Sequence, residues 1–217
     1  MRYLLRPVNV LMLAMLAAGY GLTAASAPEP ALAATEKSAM PADDRSTTRV
    51  TGADAVLEAR FEYAQGAPLK VSYRLRNEGE APLMAFDRGN RHAVMTKKLV
   101  QGEVAQPTFS QEDGDLTLSH RALPLSKPHP IIPPTPLASR VEPGATLEGA
   151  FEFSLLTDAP VERMRWCLGV VPFADDFKAL KPEPDKPEVW LGSLSHAESQ
   201  QLLCTAWFDL PTGVFES

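Results

Sequence analysis

Apolar and polar residues alternate along two neighbouring stretches of the chain. Residues 57–63 and 69–76 each place an apolar residue at every second position, with charged or small residues between. Period-two alternation is typical of a strand with one buried and one wet face, as in antiparallel sheets. Two paired strands are therefore predicted, with inward side chains from Leu57, Ala59, Phe61, Tyr63, Leu69, Val71, Tyr73 and Leu75, and with Lys70, Ser72, Arg74 and Arg76 exposed.

Similar short apolar or alternating runs continue to the end of the chain, separated by turn residues. Asp113-Gly114 predicts a tight hairpin turn, and Pro143-Gly144 predicts another turn. A capping box at 195–198 predicts one short helix. The pattern predicts an all-β fold, a single antiparallel β-sandwich with at most one or two short helices. The further strand candidates are 83–86, 94–100, 104–110, 116–122, 147–155, 164–170 and 202–210.

Two proline-rich segments interrupt the alternation. Residues 123–137 contain six prolines, and a second run extends from Pro172 to Pro187. Such chain is expected to run extended across the surface, since proline lacks the N–H that a helix or central strand needs. Ile131, Ile132 and Trp190 are the candidate contact surface for a partner. The alternative is that these three side chains fold back and seal the gap between the sheets.

The N-terminal residues have the layout of a secretory signal peptide. Arg2 and Arg6 precede an apolar run of 15 residues, 8–22, which is followed by small residues. Cleavage is expected after Ala33, with Ala25 and Ala27 as alternatives. The predicted organisation is a signal peptide at 1–33, a disordered leader at 34–50 and one domain at 51–217. No cysteine follows the apolar run, so no lipid anchor is expected there.

The charge of the chain bears on its partners. The net charge of −6 becomes −7 when Arg2, Arg6 and Glu29 leave with the signal peptide. An acidic chain offers no overall attraction for nucleic acid or anionic lipid, so neither is expected as a partner. The mature protein is expected to be soluble in the periplasm or secreted, and its expected partner is another exported or envelope protein.

The sequence contains two cysteines, Cys167 and Cys204. In an oxidising compartment an intramolecular disulfide between the last two strands is the leading prediction. The alternative is that both are small core residues, because free cysteine is readily buried. The disulfide has one difficulty: simple alternation places Cys204 on the face of Leu202 and Phe208, while Cys167 shares a face with Arg163 and Arg165. A bulge or the two-sheet geometry of the sandwich is needed to bring them together.

Motifs for catalysis are sparse. The common signatures of serine hydrolases, zinc proteases and nucleotide-binding loops do not occur, so an enzyme is not expected. His92 with Met95 is a candidate Cu(I) pair, because a thioether and an imidazole suit a soft ion. The acidic run 112–115 is a candidate calcium site, with a plain hairpin turn as the alternative. No cofactor is expected.

A resemblance follows from the turn residues. The runs VSYRLRNEGEAPLMAFD and RVEPGATLEGAFEF resemble bacterial exported immunoglobulin-like domains, and they are similar to the intracellular-proteinase-inhibitor family of sandwich domains. The resemblance covers about residues 55–155 and implies an immunoglobulin-like sandwich, with protease inhibition as one version of its role. The Trp166-Cys167 order departs from antibody-type domains, where the cysteines bracket the tryptophan. No catalytic residue is implied.

These patterns predict an exported, non-catalytic binding or accessory domain that contacts another protein through its proline-rich loops. The alternative from a different class is a periplasmic copper carrier that uses His92 and Met95. Protease inhibition is a third possibility, implied only by the resemblance.

Overall fold

The computed structural model describes residues 45–128, 130–155 and 160–216. They form fourteen strands and two short helices in this order: β1 (Thr47–Thr51), β2 (Ala55–Glu62), β3 (Leu69–Asn77), β4 (Leu83–Ala85), α1 (Arg91–Met95), β5 (Thr108–Glu112), β6 (Asp115–His120), β7 (Leu137–Val141), β8 (Thr146–Phe153), β9 (Arg163–Pro172), β10 (Lys178–Ala179), β11 (Trp190–Leu191), α2 (His196–Ser199), β12 (Gln201–Cys204), β13 (Phe208–Asp209) and β14 (Val214–Phe215).

Two sheets pack face to face. The first has four antiparallel strands in the order β1-β2-β3-β8. The second is built around β9, which pairs with β4 and β6 on one side and with β12 and β13 on the other; β7, β11 and β10 extend the sheet beyond β4. The all-β sandwich prediction is confirmed. One detail differs, since β6 and β9 run parallel.

The alternating strands fill the space between the sheets as predicted. In β3, Leu69, Val71, Tyr73 and Leu75 are buried while the four residues between them are exposed. Tyr73 of the first sheet lies 4.8 Å from Trp166 of the second between ring centres, and Phe61 lies 5.3 Å from Phe208. These contacts join both sheets in one apolar core.

A second, smaller core lies on the outer side of the second sheet. Met84, Ala138 and Val171 project outward from β4, β7 and β9, and Phe86 and Phe177 pack over them. The chain after β9 covers this face, and this explains why β9 is buried on both faces from Trp166 to Val171. Simple alternation therefore describes only the first half of β9.

Three predicted boundaries were wrong. The leader was expected to extend to residue 50, but β1 begins at Thr47 and pairs with β2. Residues 94–100, predicted as a strand, contain the end of α1 and a turn, because the Asn90 side chain caps the helix by accepting from the N–H of Ala93. The last predicted strand is divided into β12 and β13. The predicted signal peptide, and the predicted leader up to residue 44, lie outside the described residues.

The predicted disulfide between Cys167 and Cys204 is confirmed. The two residues are direct partners in the β9–β12 register, and these strands overlap the last two strands predicted from the sequence, 164–170 and 202–210. The break between β12 and β13 resolves the difficulty of the alternating faces. There Thr205 donates its N–H to Trp166 O and accepts the Trp166 N–H at its hydroxyl, and the strand phase changes before Phe208.

Candidate functional site

The proline-rich segment 123–137 presents two adjacent exposed apolar side chains, one of which is the most exposed large apolar side chain among the described residues. Ile131 is fully exposed and Ile132 is 55% exposed. The prolines at 130, 133 and 134 restrict the backbone on both sides of this pair. The C-terminal end of the segment is held firmly, because Thr135 O accepts the Arg91 N–H and Pro136 O accepts the Gly192 N–H, both at 2.9 Å. The pair is thus held away from the core on restricted chain.

Trp190 does not belong to this exposed pair, and the prediction of its exposure was wrong. It lies in β11 beside β7 and packs against the smaller core. Its ring meets Phe173 edge-on at 5.4 Å, and the Arg140 guanidinium lies 4.5 Å from the Phe173 ring centre and 5.2 Å from that of Trp190. The cation covers both rings, so Trp190 is a packing residue.

This difference predicts opposite results for two sets of serine substitutions. Ile131→Ser with Ile132→Ser should change the free energy of unfolding by less than about 0.5 kcal/mol, since no packing is lost. Trp190→Ser should cost about 2–4 kcal/mol because it leaves a cavity beside Phe173. Urea denaturation of the three proteins measures both values. A large loss of stability in the isoleucine variant would place that pair in the packed interior instead.

His92 and Met95, the candidate copper pair, both lie on α1. They are three residues apart, so their side chains lie on one face of the helix. Met95 is 63% exposed. The described residues contain no group of three or more His, Cys, Asp or Glu that could hold a metal ion. The helix therefore offers a two-ligand pair.

The acidic run 112–115, the candidate calcium site, makes contacts within the fold. Asp115 forms a two-point ion pair with Arg163, at 2.7 and 2.9 Å, and this pairing lowers the pKa of the Asp115 carboxyl. Asp113 and Gly114 form the hairpin turn with positive φ angles of 47° and 88°, as predicted for that dipeptide. The run 112–115 therefore forms a plain hairpin turn, which was the alternative to a calcium site.

The structure contains a buried polar network that the sequence analysis did not predict. The Asp87 carboxylate is fully buried and accepts hydrogen bonds from the hydroxyl groups of Tyr73 and Ser139, each at 2.7 Å. Arg88 donates from Nε to Ser139 Oγ and from Nη1 to the Gly102 carbonyl, also at 2.7 Å. Burial, together with the negative charge of Asp87, raises the pKa of Tyr73. The network ties the loop after α1 to both sheets.

His120 extends this polar region beneath the same loop. Its Nδ1 accepts the indole N–H of Trp166 at 3.0 Å, and its Nε2 donates to the Ala105 carbonyl at 2.7 Å. Both ring nitrogens are therefore occupied, and the ring is neutral. Burial lowers the pKa of His120. With no free nitrogen, the imidazole positions the loop and is unavailable as a base.

The lowered pKa of His120 predicts a contribution to acid sensitivity. As the pH falls below about 6.5, the unfolded chain takes up a proton at this ring before the folded chain does. Stability should therefore fall by up to about 1.4 kcal/mol per pH unit in that range. Denaturation of wild type and His120→Gln across the range isolates this slope, because all other groups are shared. Identical pH profiles would contradict the assignment.

An open groove crosses the outer face of β5, β6, β9 and β12, with a volume of about 510 Å³. The disulfide lines it, and Thr117 and Ser119 lie on its floor. The Arg165 guanidinium lies 4.5 Å from the Trp207 ring centre and donates from Nε to Thr117. The polar side chains that line this groove are typical of a sheet face that is exposed to water.

The missed features had only weak signals in the sequence. The run Asp87-Arg88-Gly89-Asn90 has the composition of a turn, and Gly89 adopts a positive φ of 69°. Nothing local indicated that the charged pair is buried, because its partners Tyr73, Gly102 and Ser139 are distant in the chain. Alternation in 116–122 places His120 on the side of Leu116 and Leu118, and all three are buried.

No helix in the described parts of the chain is long and apolar enough to cross a membrane. A disulfide fits an oxidising compartment outside the cytoplasm. Comparisons with protein families, with curated proteins and with solved structures find no match for this chain.

Proposed function

We propose that this protein is an exported, non-catalytic binding domain, and that residues 123–137 are its contact segment. The observation that supports this is the fully exposed Ile131 beside Ile132, on a segment held at Thr135 and Pro136. Large apolar side chains left in water are a common mark of a contact site. Restricted chain also loses less entropy on binding than a flexible loop does.

Two classes of partner can meet such a segment in a cell envelope. One is another protein, as expected from the sequence, and protease inhibition by an inserted loop is a version of it that rests on the resemblance to immunoglobulin-like inhibitor domains. The other is a membrane surface. Both use the same exposed isoleucine pair.

Site-specific crosslinking tests the contact segment. A photoreactive phenylalanine at position 131 of the full chain, expressed and exported in its host, should form an adduct on illumination. Glu148 is the matched control position, because it is exposed on β8 of the first sheet. An adduct at 131 and none at 148 supports the proposal. No adduct at 131, or equal adducts at both positions, would refute it.

The copper carrier is a second candidate, supported by His92 and Met95 lying on one face of α1. Titration of the purified protein with Cu(I) distinguishes it from the binding domain. Stoichiometric binding that is lost in Met95→Leu favours the carrier. Binding that is unchanged in this variant excludes the pair as the ligands.

A further inference from the structure

The charges of the chain are strongly segregated around the contact segment. Residues 89–102 and 121–136 contain five Lys and Arg residues and no Asp or Glu. The whole chain has 21 basic and 27 acidic residues, so the remainder has 16 against 27, a balance of −11 beside +5 here. The five cations are all exposed: Arg91, Lys97, Lys98, Arg121 and Lys127.

The two segments lie side by side. Asn90 bridges to Pro136, the Arg91 N–H is donated to Thr135 O, and the Leu137 N–H is donated to Gly89 O at 2.8 Å. The segments are therefore adjacent where residues 89–91 meet residues 135–137, and together they are called here the basic end. Among the described residues, none of its five cations has an ion-pair partner. Cations left unpaired in an acidic protein are available to an external anion.

Exposed apolar side chains concentrate at the same end. Six large apolar residues are exposed among the described residues, and four of them belong to these two segments. They are Met95, Val100, Ile131 and Ile132, with exposures of 63%, 47%, 100% and 55%. Apolar side chains that stand among lysines and arginines suit an interface with anionic headgroups above and acyl chains below.

We propose that the basic end binds the surface of an anionic phospholipid bilayer, with Ile131 and Ile132 inserted between headgroups. This rests on the proposed function, since it names the partner of the same contact segment. The lysine and arginine side chains contact the lipid phosphates. The attraction acts only over about 10 Å at moderate salt, so its strength depends on the charges near the contact and not on the net charge of the chain.

Sedimentation with vesicles tests this directly. The full exported chain should bind vesicles of phosphatidylethanolamine with a minority of phosphatidylglycerol, and it should not bind vesicles of phosphatidylcholine. Added salt should release it. Arg91→Gln with Lys98→Gln should lower the partition coefficient roughly thirtyfold, which is about fivefold for each cation removed. Ile131→Ser with Ile132→Ser should lower it roughly tenfold or more.

A matched control removes two positive charges elsewhere. Lys70→Gln with Arg74→Gln changes the net charge equally but lies on the outer face of β3, where both side chains are 62% exposed. It should bind as wild type does. Equal losses in the two charge variants, or no binding to phosphatidylglycerol vesicles at low salt, overturns the proposal. If position 131 then crosslinks to a protein, the contact segment stands and only the lipid partner fails; if it crosslinks to nothing, both fail.

Discussion

Replacing Asp87 with alanine is expected to destabilise the protein by about 3–5 kcal/mol, the range for removing one member of a buried ion pair. The change leaves Arg88, which is 6% exposed, without its carboxylate at 3.3 Å. It also removes the acceptor for the hydroxyls of Tyr73 and Ser139. Urea denaturation measures the loss, with Asp175→Ala, an exposed carboxylate, as the control.

A second variant identifies the cause of the Asp87 effect. If the unpaired cation accounts for most of the loss, Asp87→Ala combined with Arg88→Met should be more stable than Asp87→Ala alone. If the lost hydroxyl acceptor accounts for it, the double variant should recover nothing. A loss in Asp87→Ala of under about 1 kcal/mol would show that the network contributes little to stability.

Removal of the disulfide is the second large expected effect. Cys167→Ala with Cys204→Ala should cost about 3–4 kcal/mol, on the chain-entropy relation for a sequence separation of 37 residues. Reduction of the wild type should lower its melting temperature to a value near that of the variant. The variant itself should not respond to reductant. Both proteins should still fold, because β12 remains hydrogen-bonded to β9 along four residue pairs.

The control for the disulfide prediction is the number of free thiols. Wild-type protein denatured without reductant should contain none, and the reduced protein should contain two. A double alanine variant as stable as the wild type would show that the bond constrains little of the unfolded chain.

The sequence predicted best where one strand face meets water and the other meets the core. In β3, alternation identified the buried side chains because the residues between them face water. In β2 it did so except at Val56, which is buried although it lies on the outer face. In β9 the second half is covered on both sides, so alternation no longer reports burial. The helix α1 has five residues, which is too short for a 3.6-residue period to be visible, and its sequence signal was the capping Asn90.

The candidate site was predicted in part. The six prolines of 123–137 identified the segment, and Ile131 and Ile132 are exposed. The position of Trp190 depended on Arg140 and Phe173, which are remote in the chain. The net charge of −6 also concealed the basic end, because a sum over the whole chain does not report thirty residues that contain no Asp or Glu. Charge segregation is visible in the sequence, but the contacts at Thr135 and Pro136 unite the two segments.

The position of β9 at the centre of its sheet has a consequence for how the chain folds after synthesis. Its neighbours begin at Leu83 and end at Asp209, so its pairing requires strands that are up to 126 positions apart in the chain. Pairings of such sequence separation form slowly, because loop entropy is lost before contacts are gained. Until β12 and β13 are available, one edge of β9 stays unpaired and prone to aggregation. The newly made chain is therefore expected to expose this edge of β9 until its C-terminal strands have been made.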